Sequence, residues 1–76
     1  MIHPEQALMT VTVTVNGEPR DLPPGVTLAD VVSQLTASPK GVAAALNGEV
    51  VPRRAWAATA LAERDQVEVV TAVQGG

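Results

Sequence analysis

Residues 9–15 alternate between apolar and polar positions, and this alternation constrains the fold more than any other feature of the chain. The valines fall on one face of an extended segment and the threonines on the other: Val11, Val13 and Val15 against Thr10, Thr12 and Thr14. β-branched residues at a period of two predict a strand with one buried face. Asn16-Gly17 follows at once, and both residue types tolerate the positive φ of a tight hairpin. The predicted return strand is Glu18–Leu22, placed at a sheet edge because Pro19 cannot donate to a ladder.

One amphipathic helix is predicted after this hairpin. Thr27 is expected to be its N-cap and Asp30 its third residue, in a capping box that uses a short acid. The apolar stripe of the helix follows the i, i+3, i+4, i+7 rule: Leu28, Val31, Val32 and Leu35. We expect the helix to end near Thr36, because Pro39 follows.

The second half of the chain contains another hairpin and a last strand. Val42–Leu46 is predicted as a strand, Asn47-Gly48 as a tight turn, and Val50-Val51 as the return. The alanine-rich segment Arg53–Leu61 is predicted as a turn or short helix, and Val67–Val73 as the last strand.

These elements predict an α+β fold, written β-β-α-β-β, with one helix across one face of a mixed sheet. The simplest closure with a right-handed crossover places the first and last strands side by side in the sheet centre. This arrangement is the β-grasp, or ubiquitin-like, fold. The predicted organisation is a loose arm at residues 1–8, a β-grasp domain at 9–73 and a flexible tail at 74–76.

The composition of the chain argues against some classes of function. The chain has 76 residues, no cysteine and a net charge of −3, which suits one small domain in a reducing cytoplasm. Four arginines and one lysine make no basic stripe, so nucleic acid is not expected as a partner. No segment is apolar over the length of a bilayer, and residues 1–8 lack the features of a signal peptide, so no membrane association is expected.

No catalytic or metal-binding constellation is predicted. His3 lies in the loose arm, Ser33 and Ser38 have no base nearby, and the carboxylates are dispersed. The remaining chemical candidate is the pair Gly75-Gly76 after the last strand. Glycine has no Cβ, so such a tail can pass through a narrow channel and present a carboxylate that no side chain crowds.

Three further residues are candidates for contacts with partners. Val70 and Ala72 are expected to face away from the helix and, with Ala43 or Ala45, to form a small exposed apolar patch. Arg53 either binds a partner's carboxylate or is simply solvated. Trp56 is interpreted as closing one end of the core.

The run from Leu46 to Trp56, with Asn47, Val51-Pro52-Arg53 and Trp56 at fixed spacing, resembles the ThiS-type sulfur carriers of thiamine biosynthesis. The resemblance extends over residues 9–76. It includes the hairpin Val15–Glu18, the turn ending in Asp65-Gln66-Val67, and Gly75-Gly76. Residues 1–8 look like an extension, and Arg64 stands where family members often have glycine.

The resemblance implies a carrier and not an enzyme. A ThiF-like adenylating enzyme would activate the Gly76 carboxylate with ATP, and a cysteine desulfurase system would supply persulfide sulfur. The resulting thiocarboxylate on Gly76 would donate its sulfur to thiazole synthase. Gly75 would give the tail a slender backbone in the partner's channel. Val70, Ala72 and Arg53 would contact the partner at the docking surface. The carrier itself would need no cofactor or metal, since the partner consumes the ATP.

Three alternatives remain open from the sequence. The small subunit of molybdopterin synthase is also a Gly-Gly sulfur carrier, although the Val51-Pro52-Arg53 and Trp56 pattern favours thiamine biosynthesis. A ubiquitin-like modifier would join its terminus to lysines of target proteins. A β-grasp interaction module would have an inert tail.

Overall fold

The computed structural model describes residues 10–38 and 40–71. Their secondary structure begins with a hairpin and one helix: β1 (Val11–Val15), β2 (Glu18–Leu22) and α1 (Leu28–Leu35). A second hairpin, a short 3-10 helix and a last strand follow: β3 (Val42–Leu46), β4 (Glu49–Val51), the 3-10 helix (Arg53–Ala58) and β5 (Gln66–Thr71).

Within residues 10–38 and 40–71 the sheet has five strands, in the order β2-β1-β5-β3-β4. Strand β1 pairs parallel with β5, and the other neighbours pair antiparallel. The first and last strands therefore lie side by side in the sheet centre, which confirms the predicted β-grasp. The predicted order β-β-α-β-β contains four strands, whereas the described part of the chain has five. The second hairpin contributes two strands, β3 and β4, and β5 is a further strand.

Both hairpins turn through asparagine and glycine in left-handed conformations. The φ angles are 52° and 85° at Asn16 and Gly17, and 52° and 87° at Asn47 and Gly48. Positive φ at both central residues belongs to the turn whose twist matches that of the flanking strands. Pro19 lies in β2, at the edge of the sheet, as predicted.

The helix begins and ends where the sequence predicts. The Asp30 N–H donates to Thr27 Oγ1 at 3.2 Å, and the Thr27 N–H donates to Asp30 Oδ2 at 2.9 Å. This reciprocal capping box satisfies two of the N–H groups that a helix start leaves unpaired. At the other end the Thr36 N–H donates to the Val32 carbonyl, and the helix stops.

The core lies between α1 and one face of the sheet. It consists of buried aliphatic side chains and one tryptophan: Val13, Val15, Leu22, Val26, Leu28, Val31, Val32, Ala44, Trp56, Leu61, Val67 and Val69. Leu35, the fourth member of the predicted stripe, is 38% exposed. It is the last residue of the helix, so no further turn shields it.

Strand bounds differ from the sequence expectations at three places. Strand β4 begins at Glu49, one residue before the predicted Val50. Among the described residues β1 begins at Val11, and Met9 lies outside them. Strand β5 begins one residue earlier than predicted, because Gln66 pairs with Thr14 of β1. Ala72, Val73 and the predicted segments 1–8 and 74–76 also lie outside the described residues, so the predicted division of the chain remains a prediction.

Two leucines of α1 allow a matched test of the core. Leu28 is fully buried and Leu35 is 38% exposed. We expect Leu28→Ala to lower the free energy of unfolding by about 2–5 kcal/mol through lost burial and a residual cavity. We expect Leu35→Ala to lower it by about 1 kcal/mol or less. Urea denaturation measures both values, and equal losses would contradict the placement of the core.

Candidate functional site

The predicted reactive tail, residues 74–76, is two residues removed in sequence from the end of β5 at Thr71. Gly75 and Gly76 lie outside the described residues, as does Ala72. The last described residue, Thr71, is the register partner of Val42 at the start of β3. The candidate site within the described residues is therefore the end of the sheet at which β5 finishes, which we call the exit end. It is defined by Val69, Val70 and Thr71 with the residues beside them.

Asn47 fixes the beginning of β5. Its Oδ1 accepts from the Gln66 N–H, and its Nδ2 donates to Asp65 Oδ1 at 3.0 Å. The Asn47 N–H also donates to the Gln66 carbonyl at 2.8 Å. Two residues of the family-like pattern, Asn47 and Asp65, therefore meet at the first residue of β5, at the end of the strand opposite the exit end. This role explains why an amide and an acid suit these positions, since the amide donates and accepts while the acid only accepts.

Arg64 has a φ of 72°, in the left-handed region that glycine enters without a Cβ penalty. Its N–H donates to the Thr12 carbonyl at 2.7 Å, and the Asp65 N–H donates to Ala62 at 3.1 Å. Arg64 thus adopts a backbone conformation that favours glycine, in a turn that both hydrogen bonds close.

Trp56 belongs to the core. Only 4% of the residue is exposed, and its Nε1–H donates to the Val51 carbonyl at 2.8 Å. This bond ties the 3-10 helix to the end of β4. The interpretation of Trp56 as packing at one end of the core is confirmed.

Arg53 lies on the surface at the start of the 3-10 helix. It lines an open groove of about 350 Å³ between this helix and α1, together with Val32, Thr36 and Trp56 among others. The preceding strand β4 runs in the same direction as β5, because both pair antiparallel with β3. Arg53 is therefore placed toward the exit end, where either a partner carboxylate or solvent can receive its guanidinium.

The face of the sheet opposite α1 bears an apolar patch near the exit end. We define the outer patch as Ala43, Ala45, Val50 and Val70. Ala43 is the register partner of Val70, and Ala45 is the partner of Val50. Val70 is 60% exposed and Val50 is 75% exposed, whereas Val69 points into the core. Val70 thus faces away from the helix, and Glu68 adds one charge beside Ala45.

Within residues 10–38 and 40–71 there is no group of three or more His, Asp or Glu side chains that could hold a metal ion. No buried polar or charged residue occurs in this part of the chain either. None of the helices described is long and apolar enough to cross a membrane.

Trp56 and Arg53, which both belong to the family-like pattern, are expected to differ in how much they contribute to stability. We expect Trp56→Phe to lower the free energy of unfolding by about 1–3 kcal/mol, because the Val51 carbonyl loses its donor. We expect Arg53→Ala to change it by about 0.5 kcal/mol or less, since the side chain is exposed. Thermal and urea unfolding measure both, and a large loss in Arg53→Ala would show that Arg53 supports the fold.

Two proteins of known sequence are similar to this chain over most of its length. The chain is 39% identical over 64 residues to a thiazole synthase of Magnetococcus marinus, a match that covers 84% of this chain and 20% of that protein. The chain therefore spans about a fifth of that relative's length. It is also 27% identical over 66 residues to the uncharacterized protein ycf40 of Porphyra purpurea, with 87% and 93% of the two chains covered.

A solved structure and a family model point the same way. The crystal structure of the thiamine biosynthesis protein ThiS from Geobacter metallireducens matches with a TM-score of 0.72 and 33% identity. The match covers 87% of this chain and 100% of that one. The ThiS family model matches residues 13–76. The chain therefore belongs to the ThiS family, the sulfur carriers that its Asn47, Val51-Pro52-Arg53 and Trp56 pattern resembles.

Proposed function

We propose that this protein carries sulfur for thiazole formation in thiamine biosynthesis, as a thiocarboxylate on Gly76. The observation that carries the proposal is the match to the ThiS family over residues 13–76, a range that includes Gly75-Gly76. The similarity to a solved ThiS protein at 33% identity supports it. The protein then acts as a co-substrate of other enzymes and not as an enzyme itself.

The chemistry follows from the poor reactivity of a carboxylate. An adenylating enzyme of the ThiF type converts the Gly76 carboxylate and ATP into an acyl-adenylate and pyrophosphate. The terminal sulfur of a persulfide, supplied by a cysteine desulfurase system, attacks the acyl carbon and AMP leaves. A thiol then reduces the resulting acyl disulfide, is itself oxidised, and releases the thiocarboxylate. The ATP is bound by the partner, so the carrier needs no cofactor of its own.

Thiazole synthase is the proposed acceptor of the sulfur. The thiazole synthase of Magnetococcus marinus contains a segment similar to this chain over 20% of its length. Occurrence of a carrier-like segment and a thiazole synthase in one polypeptide supports a direct encounter between the two proteins. A reducing cytoplasm suits the persulfide and thiol steps, and we place the reaction there.

The outer patch is the proposed docking surface, with Ala72 and Arg53 as further contacts. Val70 lies on β5 only six residues before Gly76, so a partner that covers it can reach the tail at the same time. Apolar side chains at the centre of an interface typically provide most of its binding energy. Gly75 supplies a backbone without a side chain where the tail enters the partner.

The sulfur-carrying step is tested by intact-protein mass spectrometry after incubation with a ThiF-type enzyme, ATP, a cysteine desulfurase, cysteine and a thiol. We expect a mass gain equal to the exchange of one oxygen for one sulfur, and fragmentation should place it on Gly76. An unchanged mass under these conditions would contradict the proposal. Adducts on lysines of other proteins would indicate a modifier instead.

A variant with one alanine added after Gly76 is the control for this experiment. It should unfold at the same temperature as the parent chain, because the addition follows the predicted domain of residues 9–73, yet it should not gain sulfur. Sulfur on the extended variant would show that the Gly76 carboxylate is not the acceptor.

Docking is tested with two lysine substitutions on the same face of β5. Val70 and Gln66 are both exposed and lie four residues apart, about 13 Å along a strand. We expect Val70→Lys to weaken the complex with the adenylating enzyme roughly tenfold or more, because it places a charge in the apolar contact. Gln66→Lys adds the same charge outside the outer patch and should bind as the parent does. Equal affinities of both variants, measured by calorimetry, would exclude the outer patch as the docking site.

A further inference from the structure

Asn16 makes a pair of long-range hydrogen bonds that the proposed function leaves unexplained. Its Oδ1 accepts from the Val69 N–H at 2.8 Å, and its Nδ2 donates to the Val69 carbonyl at 3.2 Å. One side chain thus pairs with both backbone groups of a residue 53 positions later in the chain. Both bonds are partly buried, where they are less weakened by competition with water.

These bonds extend the hydrogen bonding along β5 beyond the point where β1 ends. The Asn16 N–H donates to the Val67 carbonyl at 2.8 Å, and the chain then turns away through Gly17. The edge of β5 that faces β1 would have no partner after Val67. The Asn16 amide substitutes for the N–H and C=O of one further strand residue, because an amide carries both a donor and an acceptor.

The other edge of β5 is held by β3 as far as Thr71. Asn16 is therefore the last described contact on the β1 side, immediately before the residues that lead to the tail. Gly76 lies five positions after Thr71, a distance of at most about 17 Å in an extended chain. A change of about 10° in the direction of β5 would then move the tip by about 3 Å.

We propose that Asn16 is a positioning residue that fixes the direction in which the C-terminal tail leaves the sheet, so that Gly76 enters the partner's active site in a reactive geometry. This inference rests on the proposed sulfur-carrier function and adds a residue to it. The proposed role requires no contact between Asn16 and the Gly76 carboxylate. Asn16 acts through Val69, and its effect is on alignment of the tail and not on docking.

Asn47 provides a matched control within the same chain. It has the same φ of 52°, precedes a glycine in the same type of turn, and also bonds to β5 through its side chain. Its contacts are at Gln66, at the beginning of the strand, and not at the exit end. Asn16→Gly and Asn47→Gly each remove an amide and retain a residue that accepts positive φ. Each variant therefore loses two side-chain hydrogen bonds to β5 or its turn, but only Asn16→Gly loses them at the exit end.

The experiment measures adenylation of each variant by the ThiF-type enzyme, with kcat and KM separated by varying the carrier concentration. For Asn16→Gly we expect kcat to fall roughly 10- to 100-fold with KM within about twofold, since the outer patch is intact. For Asn47→Gly we expect both constants within about twofold of the parent. Hydrogen exchange of the folded carriers is measured alongside, and the Val69 amide should exchange on the order of tenfold faster in Asn16→Gly only.

Three results would overturn the positioning role: an unchanged kcat in Asn16→Gly, an equal fall in both variants, or a rise in KM alone. The first would show that alignment does not depend on Asn16, the second that general stability is responsible, and the third that Asn16 acts in docking. A parent chain that is not adenylated at all would instead refute the sulfur-carrier proposal. The outcome for the parent therefore distinguishes failure of the function from failure of the inference.

Discussion

The parallel pairing of β1 with β5 is the constraint on which the rest of this structure depends. It joins the N-terminal hairpin to the last strand through only two register pairs, Thr14 with Gln66 and Val15 with Val67. The Thr14 N–H donates to the Asp65 carbonyl at 2.9 Å, next to the turn that begins β5. Without this contact the sheet would divide into the two-stranded ribbon β2-β1 and the three-stranded sheet β5-β3-β4. A two-stranded ribbon is only marginally stable in water.

The same pairing makes a core from a chain with very little aromatic material. It brings Val13 and Val15 beside Val67 and Val69, and these four side chains form the surface that α1 covers. Trp56 closes one end, and its bond to the Val51 carbonyl anchors the 3-10 helix. Strand β5, which precedes the predicted tail, is thus the central strand of the sheet, with a neighbour on each side. A tail that must enter another protein benefits from a strand held in this way, because less orientation is left to chance.

Much of the fold could be predicted because its signals are local. The Val-Thr alternation, the two Asn-Gly turns and the Thr27–Asp30 capping box each lie within a few residues, and all are found where expected. The side-chain bonds of Asn16 to Val69 could not be predicted, since they depend on the register of strands 53 residues apart. Leu35 was assigned to the buried stripe by its spacing alone, whereas its exposure depends on where the helix ends. The sequence did indicate where Asn16 and Asn47 lie, because it placed each of them in the turn of a predicted hairpin.

Part of the candidate site could be predicted because side chains alternate between the two faces of a strand. The exposed face of β5 followed from alternation, so Val70 could be assigned to the outer surface before its neighbours were known. The partnership of Ala43 with Val70 and of Ala45 with Val50 required the register of the sheet. The role of Arg53 depends on a partner surface, and its exposed position toward the exit end is compatible with a contact there.

Transfer of sulfur from this protein into a thiazole is the most direct test of the account. The carrier would be loaded with radiolabelled sulfur, separated from the loading enzymes, and incubated with thiazole synthase and its other substrates without any further sulfur source. The account predicts that the label leaves Gly76 and appears in the thiazole product, one sulfur for each carrier consumed. Label that remains on the carrier, or a thiazole formed without label, would contradict it.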